Sequence, residues 1–190
     1  MAKKGIFYNS NAAKVFKKAK RIICRTADDG LIYLSDGCCL YLVTKYDFDS
    51  IFRSTIQFDP GNWIIGSDGK RELRDNEFDL LKIAKEFIDS LGMTNDTMCK
   101  VFPGLIQPNG SLGKQPDTRA VYNPHSKTVA FCQAQYLDGI ILDSCDVHSI
   151  GSKNVIAFSS ADNIVGFVLP AILSNQERYT KSVQAFFSEE

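Results

Sequence analysis

Leu31-Ile32-Tyr33-Leu34-Ser35, then Asp36-Gly37, then Cys38-Cys39-Leu40-Tyr41-Leu42-Val43, is the stretch that decides the fold. Two β-prone runs joined by a two-residue Asp-Gly link predict a β-hairpin, because glycine supplies the positive φ that a tight turn demands without steric cost. Upstream, Asn9-Ser10-Asn11 offers helix-capping side chains. Beyond them Ala12, Phe16, Ala19 and Ile23 recur at helical spacing. Lys14, Lys17, Lys18, Arg21 and Arg25 recur at nearly the same spacing on another face. The pattern predicts one amphipathic helix with a basic outer stripe.

Downstream, residues 51–58 predict a strand that Asp59-Pro60-Gly61 stops. Residues 75–91 return to helical spacing, with Phe78, Leu81, Ala84, Ile88 and Leu91 on one face. The segment 92–116 is rich in proline and glycine and reads as a long connection. A second hairpin spans 119–134 and turns at Asn123-Pro124-His125-Ser126. A short helix follows at 135–142, then strands at 154–159 and 164–169, and a last helix at 174–187. The expectation is an α+β protein of antiparallel sheets with amphipathic helices packed on one face. It forms a single domain over residues 1–190 that carries an inserted middle segment, 51–119.

Charge is informative only when divided. The chain has 190 residues, with 22 Lys+Arg against 22 Asp+Glu. Residues 1–25 hold eight basic side chains and no acidic one, leaving fourteen basic against twenty-two acidic in the remainder. One basic end on a neutral chain suits a phosphate-bearing partner. No apolar run approaches the ~18 residues that span a bilayer, and no apolar stretch follows Met1-Ala2-Lys3-Lys4, so the expectation is a cytoplasmic protein with no membrane contact.

No catalytic constellation assembles from the sequence. Histidine bases are limited to His125 and His148, and neither sits in a pattern with a nucleophile and an orienting carboxylate. There is no phosphate loop and no dinucleotide fingerprint. The six cysteines include no Cys-x-x-Cys pair, and Cys145-x-x-His148 lacks the second pair that a closed zinc site needs, so it reads as a buried thiol beside a surface imidazole. No cofactor and no metal are expected, and the expected mode of action is binding without catalysis.

The stretch Ala134-Gln135-Tyr136-Leu137-Asp138-Gly139-Ile140-Ile141-Leu142, the strand Val155-Ile156-Ala157-Phe158-Ser159-Ser160 and the run Ile164-Val165-Gly166-Phe167-Val168-Leu169-Pro170 together resemble the closing half of a DNA sliding-clamp domain of the bacterial polymerase III beta-subunit type. In that family a short helix opening on a tyrosine-leucine pair leads into strands, the last ending in a proline. The lysine-rich helix and the 31–43 hairpin are similar to the opening half. The resemblance covers about 100 residues and implies binding of duplex phosphates without base reading, with Lys14, Lys17, Lys18, Arg21 and Arg25 as the contacts. Clamp rings contain several such domains, so a chain of this length implies a homo-oligomer. Asp138 and Asp143 leave the second helix without the matching positive charge.

Two further stretches bear on partners. Ile64 to Arg71 resembles the Gly-x-x-Gly loop of KH domains, but Asp68 would repel a phosphate there, and Ser67-Asp68-Gly69 reads instead as a turn ahead of a helix. The tail from Thr180 to Phe187 resembles a degenerate clamp-docking peptide, with Val183, Phe186 and Phe187 as partner-binding side chains; the competing reading is a terminal helix packed on its own domain. The expected function is thus a clamp-like accessory of DNA replication or repair. The alternative is a phage or mobile-element protein that binds and inhibits a host nucleic-acid or defence complex.

Overall fold

The computed structural model describes residues 7–74, 94–110, 113–150, 154–161 and 163–189, and the helix expected at 75–91 lies outside them. In chain order, α1 (Ser10–Lys18) precedes a meander of β1 (Arg21–Thr26), β2 (Ile32–Ser35) and β3 (Cys39–Val43). The β2–β3 hairpin is as expected. Gly37 takes φ 95°, and Asp36 Oδ1 accepts the Cys38 and Cys39 amides at 2.8 and 3.0 Å.

Residues 51–58 do not form a strand. A helical turn, α2 (Lys45–Asp47), boxed by Thr44 and Asp47, widens into Phe48–Phe52, where the Arg53 amide reaches back five residues to Phe48 O at 2.8 Å. Phe48, Phe52 and Ile56 recur every fourth residue and all three are buried, so a helical period, not a strand period, governs this stretch. The strand comes later, as β4 (Trp63–Gly66), and β5 (Gly69–Glu72) pairs back on it. The turn at Ser67-Asp68 is therefore a hairpin turn and leads into a strand, not a helix.

Short strands β6 (Lys100–Val101), β7 (Asn109–Gly110) and β8 (Gly113–Lys114) punctuate the expected long connection. The second hairpin follows, β9 (Thr118–Tyr122) and β10 (Val129–Gln133). The short helix α3 (Ala134–Leu137) is a single turn, then come β11 (Asp146–Ile150), β12 (Val155–Ser160), β13 (Asn163–Val168) and α4 (Gln176–Ser188). The sequence reading did not anticipate β11, because His148 and Ser149 interrupt its apolar alternation.

All described strand pairs are antiparallel. The large sheet has the order β11-β12-β13-β3-β2-β1-β4-β5, and a three-stranded sheet has the order β10-β9-β6. The large sheet joins two units of one kind, α1-β1-β2-β3 and α3-β11-β12-β13, which meet where β13 pairs with β3 through Phe167↔Leu40 and Gly166↔Tyr41. Both helices lie on one face of it, over a core that includes Phe16, Leu34, Tyr41, Leu137, Ile156 and Phe158. The reverse face carries a second cluster, with Ile23, Leu40, Leu42, Ala157 and Phe167. Burial on both sides explains why every residue of β3 is buried.

The seam between the units is closed by specific contacts. Past Gly166↔Tyr41 the ladder stops, and the Tyr8 hydroxyl lies 2.6 Å from Val165 O and 3.1 Å from Leu42 O, filling the gap where two strand carbonyls lose their partners. Gly166 permits the close strand approach at this seam, since a Cβ there would stand 2.9 Å from Leu40 O. The Tyr41 hydroxyl donates to Tyr136 O at 2.7 Å, tying β3 to α3. The rings of Tyr8 and Phe16 each meet those of Tyr41 and Phe52, edge-on or tilted, at 5.1–6.0 Å.

Candidate functional site

Helix α1 buries one face and exposes the other. Asn9 caps it by accepting the Asn11 amide at 2.8 Å, and Ala12, Ala13, Val15 and Phe16 are buried. Lys14, Lys17 and Lys18 are left together on the outer face, three and four residues apart and exposed. Lys17 and Lys18 occupy the last turn, where the helix dipole favours cations. Lys14 Nζ donates to Asn11 Oδ1 at 2.8 Å, and among the described residues no carboxylate forms an ion pair with any of the three. Like charges at this spacing repel by a few tenths of a kcal/mol each. A phosphate over them would reverse that term.

Arg21 and Arg25 do not belong to this helix. The chain turns extended at Ala19, with ψ 133°, and β1 begins at Arg21. Residues of a strand alternate between faces, and Ile22 and Cys24 enter the core under α1 while Ile23 enters the reverse-face cluster. The two arginines therefore share the reverse face with Ile23, where Arg25 stands opposite Tyr33. The five-residue stripe expected on one helix is divided between the two sides of the sheet. Pairing of β1 with β4 through residues 21–24 and with β2 through residues 23–26 overrides the helical period that the spacing suggested.

Beside the start of α1 lies the end of α3. Asp138, the residue that argued against a positive surface there, is ion-paired: Arg119 Nε donates to its Oδ1 at 2.9 Å, and Arg119 Nη1 donates to Pro103 O at 3.0 Å. The Asp138 carbonyl accepts Asn9 Nδ2 at 2.9 Å, so this neutralised carboxylate is held at the start of α1. Gly139 permits the approach, since a Cβ there would fall 2.8 Å from Ala12 Cα. The role of Arg119 was not read from the sequence, and its separation of nineteen residues from Asp138 gives no local signal.

The C-terminal helix is present and packed. Val183 is 1% exposed within a cluster of α4, β9 and β10 residues, Phe187 stacks on Tyr122 at 5.0 Å, and Phe186 meets Phe102 edge-on at 5.2 Å. Of the three partner-binding candidates only Phe186, 40% exposed, offers much surface. The domain itself holds Val183 and Phe187.

Cys145 and His148 are the reverse of the expected pair. His148 is 5% exposed and Cys145 only half-buried. A strand position packed against β12 hides the imidazole, whose Nδ1 lies 3.0 Å from Thr97 Oγ1 and Nε2 3.0 Å from Ser159 Oγ. Burial lowers its pKa, opposed by Asp146. Burial also pushes the Cys99 and Cys132 thiols up to about 12 and Cys145 to about 11, away from the reactive thiolate. No group of three His, Cys, Asp or Glu side chains among the described residues is placed to hold a metal ion. No described helix is long and apolar enough to cross a membrane.

Comparison of the chain with protein-family models, with curated proteins and with solved structures found no match.

Proposed function

We propose that this chain is a non-catalytic, clamp-like binding protein of DNA replication or repair that rests on duplex phosphates through Lys14, Lys17 and Lys18. The observation that carries the reading is the exposed lysine face of α1, free of ion pairs to described carboxylates and set on a layer of two helices that cover one side of an antiparallel sheet. Such a surface supplies charge without donors shaped for base edges, which suits sequence-independent contact with a phosphate backbone. Arg21 and Arg25 lie on the other side of the sheet and are not part of this contact. Neutralisation of Asp138 by Arg119 removes the repulsion that the second helix would otherwise add. A ring around a duplex requires several copies, so the proposal includes a homo-oligomer.

Duplex affinity measured against salt tests this. Three phosphate contacts give a slope of log affinity on log salt of about −3. Reversing Lys14, Lys17 and Lys18 to Glu should abolish binding at low salt while leaving the thermal midpoint within a few degrees. Equal binding by the reversed variant would refute the contact. A second reading, a protein-binding inhibitor of a host nucleic-acid or defence complex, draws on the exposed Leu169, Ile172 and Phe186. Solution mass separates the two: a closed multiple of the chain favours the clamp, and a monomer favours the inhibitor.

A further inference from the structure

Two histidines are the chain's whole complement, and both bear on one turn, Asn95–Thr97. From the small sheet's side, His125 Nδ1 stands 3.6 Å from Asp96 Oδ1, and Asn123 Nδ2 donates to Asp96 O at 2.8 Å. From the large sheet, His148 Nδ1 lies 3.0 Å from Thr97 Oγ1. Backbone contacts continue the attachment: Met98 forms a bridge with His148, and the Cys99 amide donates to Val147 O at 2.7 Å. The turn thus fastens the β9–β10 hairpin to β11, which is the last strand of the large sheet.

The hydrogen bonds assign the ring's proton. Thr97 Oγ1 donates to Thr94 O at 2.9 Å, so toward the imidazole it accepts, and Nδ1 carries the hydrogen. Nε2 then accepts from Ser159 Oγ at 3.0 Å. A second proton, on Nε2, would force the Ser159 hydroxyl to turn round and seek another acceptor while a charge entered a buried site.

Few neighbours would welcome that charge. From β12, Ala157 pairs with His148 and the Ser159 hydroxyl meets its ring. The attached segment offers Asp96, already beside His125, and Cys99, whose thiol stays protonated. Asp146 and Cys145 precede His148 on its own chain, Asp143 is exposed on the turn Leu142–Ser144, and the guanidinium of β9, Arg119, is committed to Asp138. Asp146 favours the cation, but burial outweighs it. His125 and Asp96 are both about two-thirds exposed, and pairs so exposed contribute little.

The geometry points to an acid-sensitive fastening, in which protonation of His148 releases the 95–99 segment from β11 and uncovers that strand's edge. A group whose folded pKa lies below its unfolded value of about 6.5 costs stability as pH falls through that value, so the release belongs to mildly acidic conditions.

Hydrogen exchange on the full chain tests it, read at the Cys99 amide and corrected for the intrinsic pH dependence of exchange. Between about pH 7.5 and 5.5, Cys99 protection should fall severalfold, toward the roughly tenfold ceiling that an unfolded-state value of about 6.5 sets over that range, while amides pairing β1 with β4 hold steady. His148→Gln, which keeps hydrogen-bonding groups but does not titrate, should remove the response, and His125→Ala should preserve it. Flat protection in the unmodified chain, an undiminished fall in H148Q or loss of the fall in H125A would each overturn the proposal. Should H148Q fail to fold, the His148 ring-proton titration of the unmodified chain decides. A midpoint below about 6.5 is expected, and one at or above it overturns the inference.

Discussion

The two helix-and-three-strand units occupy equivalent places in the large sheet yet present different surfaces. In the first, α1 has nine residues, enough to bury one face and leave three lysines together on the other. In the second, α3 has four, and its outer positions offer Gln135 and an Asp138 already spent on Arg119. The inner faces are alike in being apolar and fully packed. What differs is chemistry that packing does not dictate, which is where a binding function can reside.

The largest expected effects test whether the inner faces really are equivalent. Phe16→Ala in α1 should cost about 3–5 kcal/mol and Leu137→Ala in α3 about 2–5, both read from urea midpoints, because each empties a site in one shared core. If Leu137→Ala cost less than about 1 kcal/mol, the second unit would be an appendage and not a counterpart. Next comes the seam. Gly139→Ala places a methyl 2.8 Å from Ala12 Cα and should cost about 1–3 kcal/mol by prising α1 from α3. An unchanged melting temperature would show that the two helices are not held in register. The smallest effect concerns the outer faces. Arg119→Gln frees the partly exposed Asp138 and should change stability by no more than about 1 kcal/mol. It should also weaken duplex binding severalfold if the nucleic acid lies over both units. Unaltered binding would confine the contact to α1.

Much of the architecture was legible. The 31–43 hairpin, the turn at 123–126, the last two strands and the terminal helix all carry local signals: a glycine or asparagine turn, an apolar run, a helical period. The stretch at 51–58 was misread because Phe and Ile suit strands by propensity, although Phe48, Phe52 and Ile56 hold a period of four. Strand β11 was invisible because its polar residues are satisfied across the fold: His148 reaches Thr97, fifty-one residues away, and Ser159 on the next strand. Their burial could not be inferred from a run that looks half polar.

The sequence by itself determined the short-range features, since these depend on neighbours a few residues apart: the Asp-Gly turn, the capped start of α1, the grouping of Lys14, Lys17 and Lys18, and the concentration of positive charge at one end. Only the tertiary structure decided that Arg21 and Arg25 face away from those lysines, that Asp138 is neutralised, that His148 is buried and that two distant units join at β3 and β13. Each of these depends on strand pairing or contact between segments far apart in the chain. Such pairing sets which way every second side chain points, and no local pattern records it.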